Sequence, residues 1–163
     1  MITQSELKEV LEYNPDTGVF TWKKTVSSRA KTGDVAGSKN NRRYINIRVN
    51  KKQYMAHRLA YFYMTGNFPE NQIDHINHIR DDNRWSNLRD ATHSQNQANQ
   101  LKRKNNKSGY KGVAYYKRDK KWHARIMYMK KRIHLGCYNT PEEASEAYKK
   151  KAIELSGKFA YTE

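Results

Sequence analysis

The chain has 163 residues and a formal net charge of +16, from 32 Lys and Arg against 16 Asp and Glu. That length fits one ordinary domain or two very small ones, and an aromatic content of 12% supplies core material that a disordered chain lacks. Apolar stretches are too short for a membrane span, the N-terminal residues predict no secretory signal, and the lone Cys137 excludes an internal disulfide and a multi-cysteine zinc site, so the expectation is a soluble intracellular protein in a reducing compartment.

Residues 3–13 predict a short amphipathic helix, with Leu7, Val10 and Leu11 on one side. Asn14-Pro-Asp-Thr-Gly18 predicts a turn, because Pro presets φ and Gly permits a positive one. A strand over 19–22 and a polar loop over 27–41 follow. Residues 44–49 alternate at period two, and 53–56 return across Asn50-Lys51-Lys52, which predicts a hairpin. Residues 57–64 predict a helix ended by Gly66. Residues 73–76 predict a strand, and a further helix starts near Thr92. Three strand-like runs (110–116, 121–127 and 132–138) are separated by charged turns. Thr140-Pro-Glu-Glu143 then combines a cap, a proline at the first helical position and a capping-box Glu. Ala144, Ala147, Tyr148, Ala152 and Leu155 form the apolar face of that helix, and Gly157 stops it.

The charge is uneven. Residues 1–100 carry 15 basic and 10 acidic side chains, whereas 101–163 carry 17 and 6. Residues 101–132 hold 13 Lys and Arg with one acid, Asp119. Such a field suits a polyanion, with nucleic acid as the leading partner. Lys102 to Lys107 is an unbroken run of basic and Asn residues, read as a basic linker over 99–107.

The densest chemistry lies at 73–96. On a strand, Asp74 and His75 point to opposite faces, so one can bind a cation while the other meets a water. Phosphodiester cleavage needs both a base to activate water and a metal to stabilise developing charge. Asn96 offers a second oxygen, and two oxygen donors suit one Mg²⁺ or Mn²⁺ better than Zn²⁺. Asp81, Asp82 and Asn83 read as ordinary turn and cap residues.

Ile73-Asp-His-Ile-Asn, Asn83-Arg-Trp-Ser-Asn-Leu-Arg89, Ala91-Thr and Asn96 together resemble the HNH endonuclease motif in its phage and intron homing form. Asp16-Thr-Gly-Val-Phe-Thr-Trp22, Gly33-Asp-Val-Ala-Gly37 and Ala56-His-Arg-Leu-Ala60 resemble the region that precedes it. The resemblance implies a hairpin plus helix around one divalent cation, the ββα-metal arrangement. It implies His75 as general base, Asp74 and Asn96 as metal ligands, and Asn87 as the middle residue that ties the loop and orients the His strand. His57 matches a recurrent His of the group. His78 stands where relatives often carry Gly, in a turn needing positive φ, and is read as structural and strained. His93, three residues before Asn96 on the same helical face, is read as a cap or phosphate contact in preference to a substitute ligand.

Ser108-Gly-Tyr-Lys-Gly-Val113, Lys121-Trp-His-Ala-Arg-Ile126, Ile133-His-Leu-Gly136 and Thr140-Pro-Glu-Glu-Ala144 resemble the Apetala-two, or ethylene-response-factor, DNA-binding domain. That resemblance implies a three-stranded antiparallel sheet backed by one helix and laid in the DNA major groove. Side-chain parity puts Val113, Tyr115, Trp122, Ala124, Ile126, Ile133 and Leu135 toward the helix. Tyr116, His123, Arg125, Met127, Arg132 and His134 fall on the other face, with Lys111 and Lys117 nearby. Lys102, Arg103 and Lys104 of the linker complete the expected DNA contacts, and Arg125 is the first choice for reading a base.

The expectation is therefore an α+β protein with an HNH module at 1–98, the linker, and an Apetala-two-like domain at 108–163. It implies a site-specific, metal-dependent homing endonuclease on double-stranded DNA in the cytoplasm of a bacterial host cell. It acts as a monomer or a DNA-induced dimer and nicks one strand per active site. The rival is a DNA-binding regulator whose nuclease part is inactive.

Overall fold

A computed structural model describes residues 2–162. The chain divides into two compact units, Met1–Asp90 and Ala91–Glu163, each an assembly of small sheets and helices, as the α+β expectation requires.

In the first unit, α1 (Gln4–Val10) starts at a capping box, with the Thr3 side chain accepting from the Glu6 N–H and Glu6 reaching back. The helix is shorter than the apolar spacing suggests. Leu11 is already extended and begins β1 (Leu11–Asn14), which pairs antiparallel with β2 (Val19–Trp22). The apolar positions satisfy both periods, and the Asn14–Gly18 turn decides for the strand by folding β2 back onto it. Residues 27–41 are not wholly loop, since β3 (Ser38–Lys39) adds to β4 (Ile45–Val49), which pairs with β5 (Lys52–Met55). The two-residue connection Asn50-Lys51 has φ of +48° and +63°, the left-handed pair that matches strand twist. Then come α2 (Ala56–Thr65), capped by left-handed Gly66, and β6 (Gln72–His75), which pairs with β7 (Leu88–Ala91). Leu7, Leu11, Phe20, Ile47, Leu59 and Phe62 are at the centre of the core.

The 14–18 turn also supports the loop that precedes β7. The Trp85 N–H donates to the Pro15 carbonyl at 2.9 Å, and the Tyr13 hydroxyl donates to the Asn83 carbonyl at 2.6 Å. Gly18, at φ +73°, leaves room for this approach, because a Cβ there would lie 2.3 Å from the Arg84 nitrogen.

In the second unit, α3 (His93–Asn99) begins at a Thr92–Gln95 capping box and contacts the C-terminal helix. The sheet has the order β10-β9-β8, formed by β8 (Val113–Tyr116), β9 (Lys121–Tyr128) and β10 (Lys131–Tyr138), all antiparallel. The first strand starts three residues later than its alternation suggests, because Gly109 and Gly112 turn the chain at positive φ. α4 (Pro141–Ser156) begins at the expected Thr140 capping box and packs on the sheet. Val113 and Ala124 meet Ala144, while Ile126 meets Tyr148 and Ala152. Tyr115 departs from its expected place: it is 48% exposed, tilted against the Trp122 ring at 5.1 Å.

Candidate active site and nucleic-acid interface

β6 carries two neighbouring buried residues with different partners. Asp74 meets β7, where the Arg89 Nε and terminal amine both lie 2.8 Å from its Oδ2. His75 faces the other way, its Nε2 3.2 Å from Asn83 Oδ1 and its ring 5.1 Å from that of His57 on α2. Tyr44 closes this side, 5.3 Å from His57 and 6.1 Å from His75, with the Arg80 guanidinium over its ring. The contact with Asn83 orients the imidazole of His75 within this pocket.

Burial lowers the His75 pKa below the usual histidine value, against the opposing pull of the Asn83 bond and of Asp74 and Asp82. The ring is therefore neutral at pH 7, the form a general base needs. Burial is also the first cause at His57, followed by the charges of His75 and Arg58, and it is pushed down to about 3.

Asn87 ties the intervening loop from both ends. Its Oδ1 accepts from the Asn77 N–H at 3.0 Å and its Nδ2 donates to the Asp82 carbonyl at 2.8 Å. Asp82 in turn pairs with Arg84 at 2.5 Å, which holds its carboxyl down to about 2. His78 has φ +65°, the turn conformation its position demands. Asn83 and Arg89 carry more of the site than their sequence context shows. Asn83 is 2% exposed and holds the histidine, although it reads as a turn residue.

Asn96 lies on α3 in the second unit, half-buried, and His93 one turn before it sits 3.0 Å from the Gln97 amide. Within the first unit, Asp74 offers a buried carboxylate oxygen, the donor type that a hard divalent cation prefers. Arg89 is the competing positive charge on Asp74.

On the second unit's sheet, the face away from α4 carries Tyr116, His123, Arg125, Met127, Arg132 and His134. The Arg125 guanidinium lies over the Tyr116 ring, 4.4 Å from its centroid, in a cation–π contact. Arg125 is opposite His134 and Met127 opposite Arg132 in the strand register. Met127, Arg132, His134 and Lys117 are exposed, but His123 is buried beneath the Tyr116 ring, stacked at 4.2 Å. Lys111 is half-buried, donates to the Ala98 carbonyl at 2.6 Å, and burial lowers its pKa to about 8. Lys102 donates to the Gly109 carbonyl at 2.8 Å, while Arg103 and Lys104 are exposed.

Residues 54–98 match the HNH endonuclease family model. The HNH match contains Asp74, His75, Asn87 and Asn96, and extends past the division between the compact units. At family level it marks a nuclease hydrolase. The C-terminal region is similar to an ethylene-responsive transcription factor of Arabidopsis thaliana, 46% identical over 57 residues. The aligned stretch is 34% of this chain and 13% of that relative, so the chain spans a small part of the relative's length. Both resemblances seen in the sequence are thus supported. Among the described residues, no helix is long and apolar enough to cross a membrane.

Proposed function

We propose that the chain is a divalent-metal-dependent DNA endonuclease of the homing type, hydrolysing one phosphodiester bond per active site. The observation that carries this reading is His75: a buried, neutral imidazole oriented by Asn83, beside a buried carboxylate, inside the HNH match. The His75 imidazole takes the proton of the attacking water. Asn87 positions the His75 strand by tying the 77–82 loop to β7. Asp74 and Asn96 would hold Mg²⁺ or Mn²⁺, which supplies charge stabilisation for the phosphorane and the leaving oxygen.

The second unit anchors and selects the duplex. Its exposed sheet face is a β-ribbon of the kind that the major groove admits, and Arg125 reads guanine while Lys104, Arg103 and Lys117 contact phosphate. Double-strand cleavage then requires two chains or two successive events.

The test is cleavage of supercoiled plasmid carrying the target, with Mg²⁺ or Mn²⁺, EDTA and His75→Ala as controls. We expect nicked circles with metal, none with EDTA, and a loss of at least about 100-fold in His75→Ala with DNA binding retained. Equal nicking by wild type and His75→Ala would overturn the assignment. The similarity to a transcription factor also supports a second reading, a regulator with an inactive nuclease unit. Tight site-specific binding without metal-dependent nicking would establish that reading instead.

A further inference from the structure

The lone cysteine does not stand alone in the folded chain. Strand alternation would place Cys137, three residues after His134, on the opposite face of β10. A register shift prevents this: His134 is opposite Arg125, Gly136 opposite Ala124 and Cys137 opposite His123, which leaves Leu135 as the extra residue. Gly136, at φ +134°, accommodates the bulge. His134 and Cys137 consequently share one face with His123, and their three donor atoms lie within 4.8 Å of one another.

The distances have the scale of a coordination polyhedron. Cys137 Sγ is 3.4 Å from His123 Nε2 and 3.6 Å from His134 Nε2. With zinc–sulfur and zinc–nitrogen bonds of about 2.3 and 2.0–2.1 Å, the sulfur–nitrogen edge of a tetrahedron is about 3.6 Å. The Asp119 Oδ2, 3.1 Å from His123 Nε2, offers an oxygen donor for a fourth position. His123 is 7% exposed and its ring is fixed by stacking on Tyr116, whereas His134 and Cys137 are exposed, so the cluster combines an ordered donor with solvent access.

We propose that His123, His134 and Cys137 form a second metal site, for a borderline-soft divalent cation of the zinc class, on the exposed face of the C-terminal sheet. Two imidazoles and a thiolate select such a cation over Mg²⁺ or Mn²⁺, which prefer oxygen. Binding displaces the thiol proton to solvent and joins β9 to β10 across the bulge. The site lies on the sheet face that the proposed function lays on DNA, but metal binding by these three side chains does not rest on that reading.

The experiment uses the full chain, reduced and stripped of metal, titrated with Co²⁺ and then with Zn²⁺. Cys137 is the chain's only thiol, so a thiolate-to-cobalt charge-transfer band reports this site and no other. We expect the band together with tetrahedral cobalt absorption, saturation at one equivalent, and loss of both on adding Zn²⁺. His134→Ala, an exposed position that leaves the thiol and the fold in place, should weaken Co²⁺ binding by more than about 100-fold, since loss of an outer-shell partner alone costs 10- to 100-fold. Zn²⁺ should raise the melting temperature of the wild type and not of Cys137→Ser. No thiolate band, or the same Co²⁺ affinity in wild type and His134→Ala, overturns the proposal. Plasmid nicking by Cys137→Ser, measured alongside, keeps this outcome separate from the fate of the nuclease assignment.

Discussion

His57 and His75 meet edge to face in the first unit, and burial lowers the pKa of both. For His75 the consequence is kinetic. Its neutral form persists below pH 6.5, so the acid limb of the rate profile should lie below that value. The Asn83 bond opposes the shift, which fixes the sign of two variants. Asn83→Leu should move the limb to lower pH and slow cleavage by about 100-fold through misplacement of the ring, whereas Asn83→Asp should move the limb upward. A limb that moves the same way in both removes Asn83 as the controlling partner. For His57 the consequence is stability. The unfolded chain takes up this proton near pH 6.5 and the folded one only near pH 3, so the stabilisation is complete above 6.5 and disappears as pH falls toward about 3. His57→Phe keeps the ring contacts without the proton, and its urea midpoint should fall less steeply between pH 6.5 and 4 than that of the wild type. His75 itself stood out in the sequence through the Asp74-His75 pair and its motif. Asn83 was not, because its importance arises from contact with a residue eight positions away and from burial beside Tyr13, neither of which leaves a local pattern.

Element boundaries were legible wherever local chemistry dictates them. Thr140-Pro-Glu-Glu143 names its own helix start, and Asn14–Gly18 its own turn, since each uses side chains to satisfy nearby backbone groups. The end of α1 was not legible, because Leu11 and Tyr13 suit a helix face and a strand face alike, and pairing with β2 decides. Nor was the bulge at 134–136, a tertiary feature of β10. Glycines divide in the same way. Gly112 lies against α4 at φ +73°, and a Cβ there would come within 2.2 Å of the Tyr148 ring and 2.6 Å of the Arg125 carbonyl. Gly112→Ala should therefore cost about 3 kcal/mol, since ring and backbone must both move. Gly109, at φ +79°, has nothing within 4 Å of its Cβ position, and Gly109→Ala should cost only about 1 kcal/mol of backbone strain. Thermal melts of both full-length variants measure the contrast. Equal losses would mean that the sheet and α4 are not packed through this contact.

Across the whole molecule the charge follows the compact units: residues 91–100 carry no Lys, Arg, Asp or Glu, so the balance of 17 basic to 6 acidic side chains belongs to the second unit entire. That asymmetry assigns the salt dependence of DNA binding mainly to the second unit. The sequence, however, treats all its lysines alike, and the fold does not. Lys104 is exposed, whereas Lys111 donates a hydrogen bond to the Ala98 carbonyl and is half-buried, with a pKa lowered to about 8. A lysine committed to the backbone releases no condensed counterion when DNA arrives. Each lysine that does neutralise a phosphate contributes about 0.9 to the slope of log K against log salt. Lys104→Gln should thus reduce the slope by about 0.9 on cognate and random duplex alike, and Lys111→Gln should leave it unchanged. Arg125→Ala should behave differently from both, weakening the cognate site by about 1–3 kcal/mol more than random DNA, because a bidentate base contact discriminates where a phosphate contact does not. Fluorescence anisotropy over a salt series, with both duplexes, reads all three variants. A slope change for Lys111→Gln equal to that of Lys104→Gln would show that charge alone, and not the fold's selection among lysines, governs the encounter.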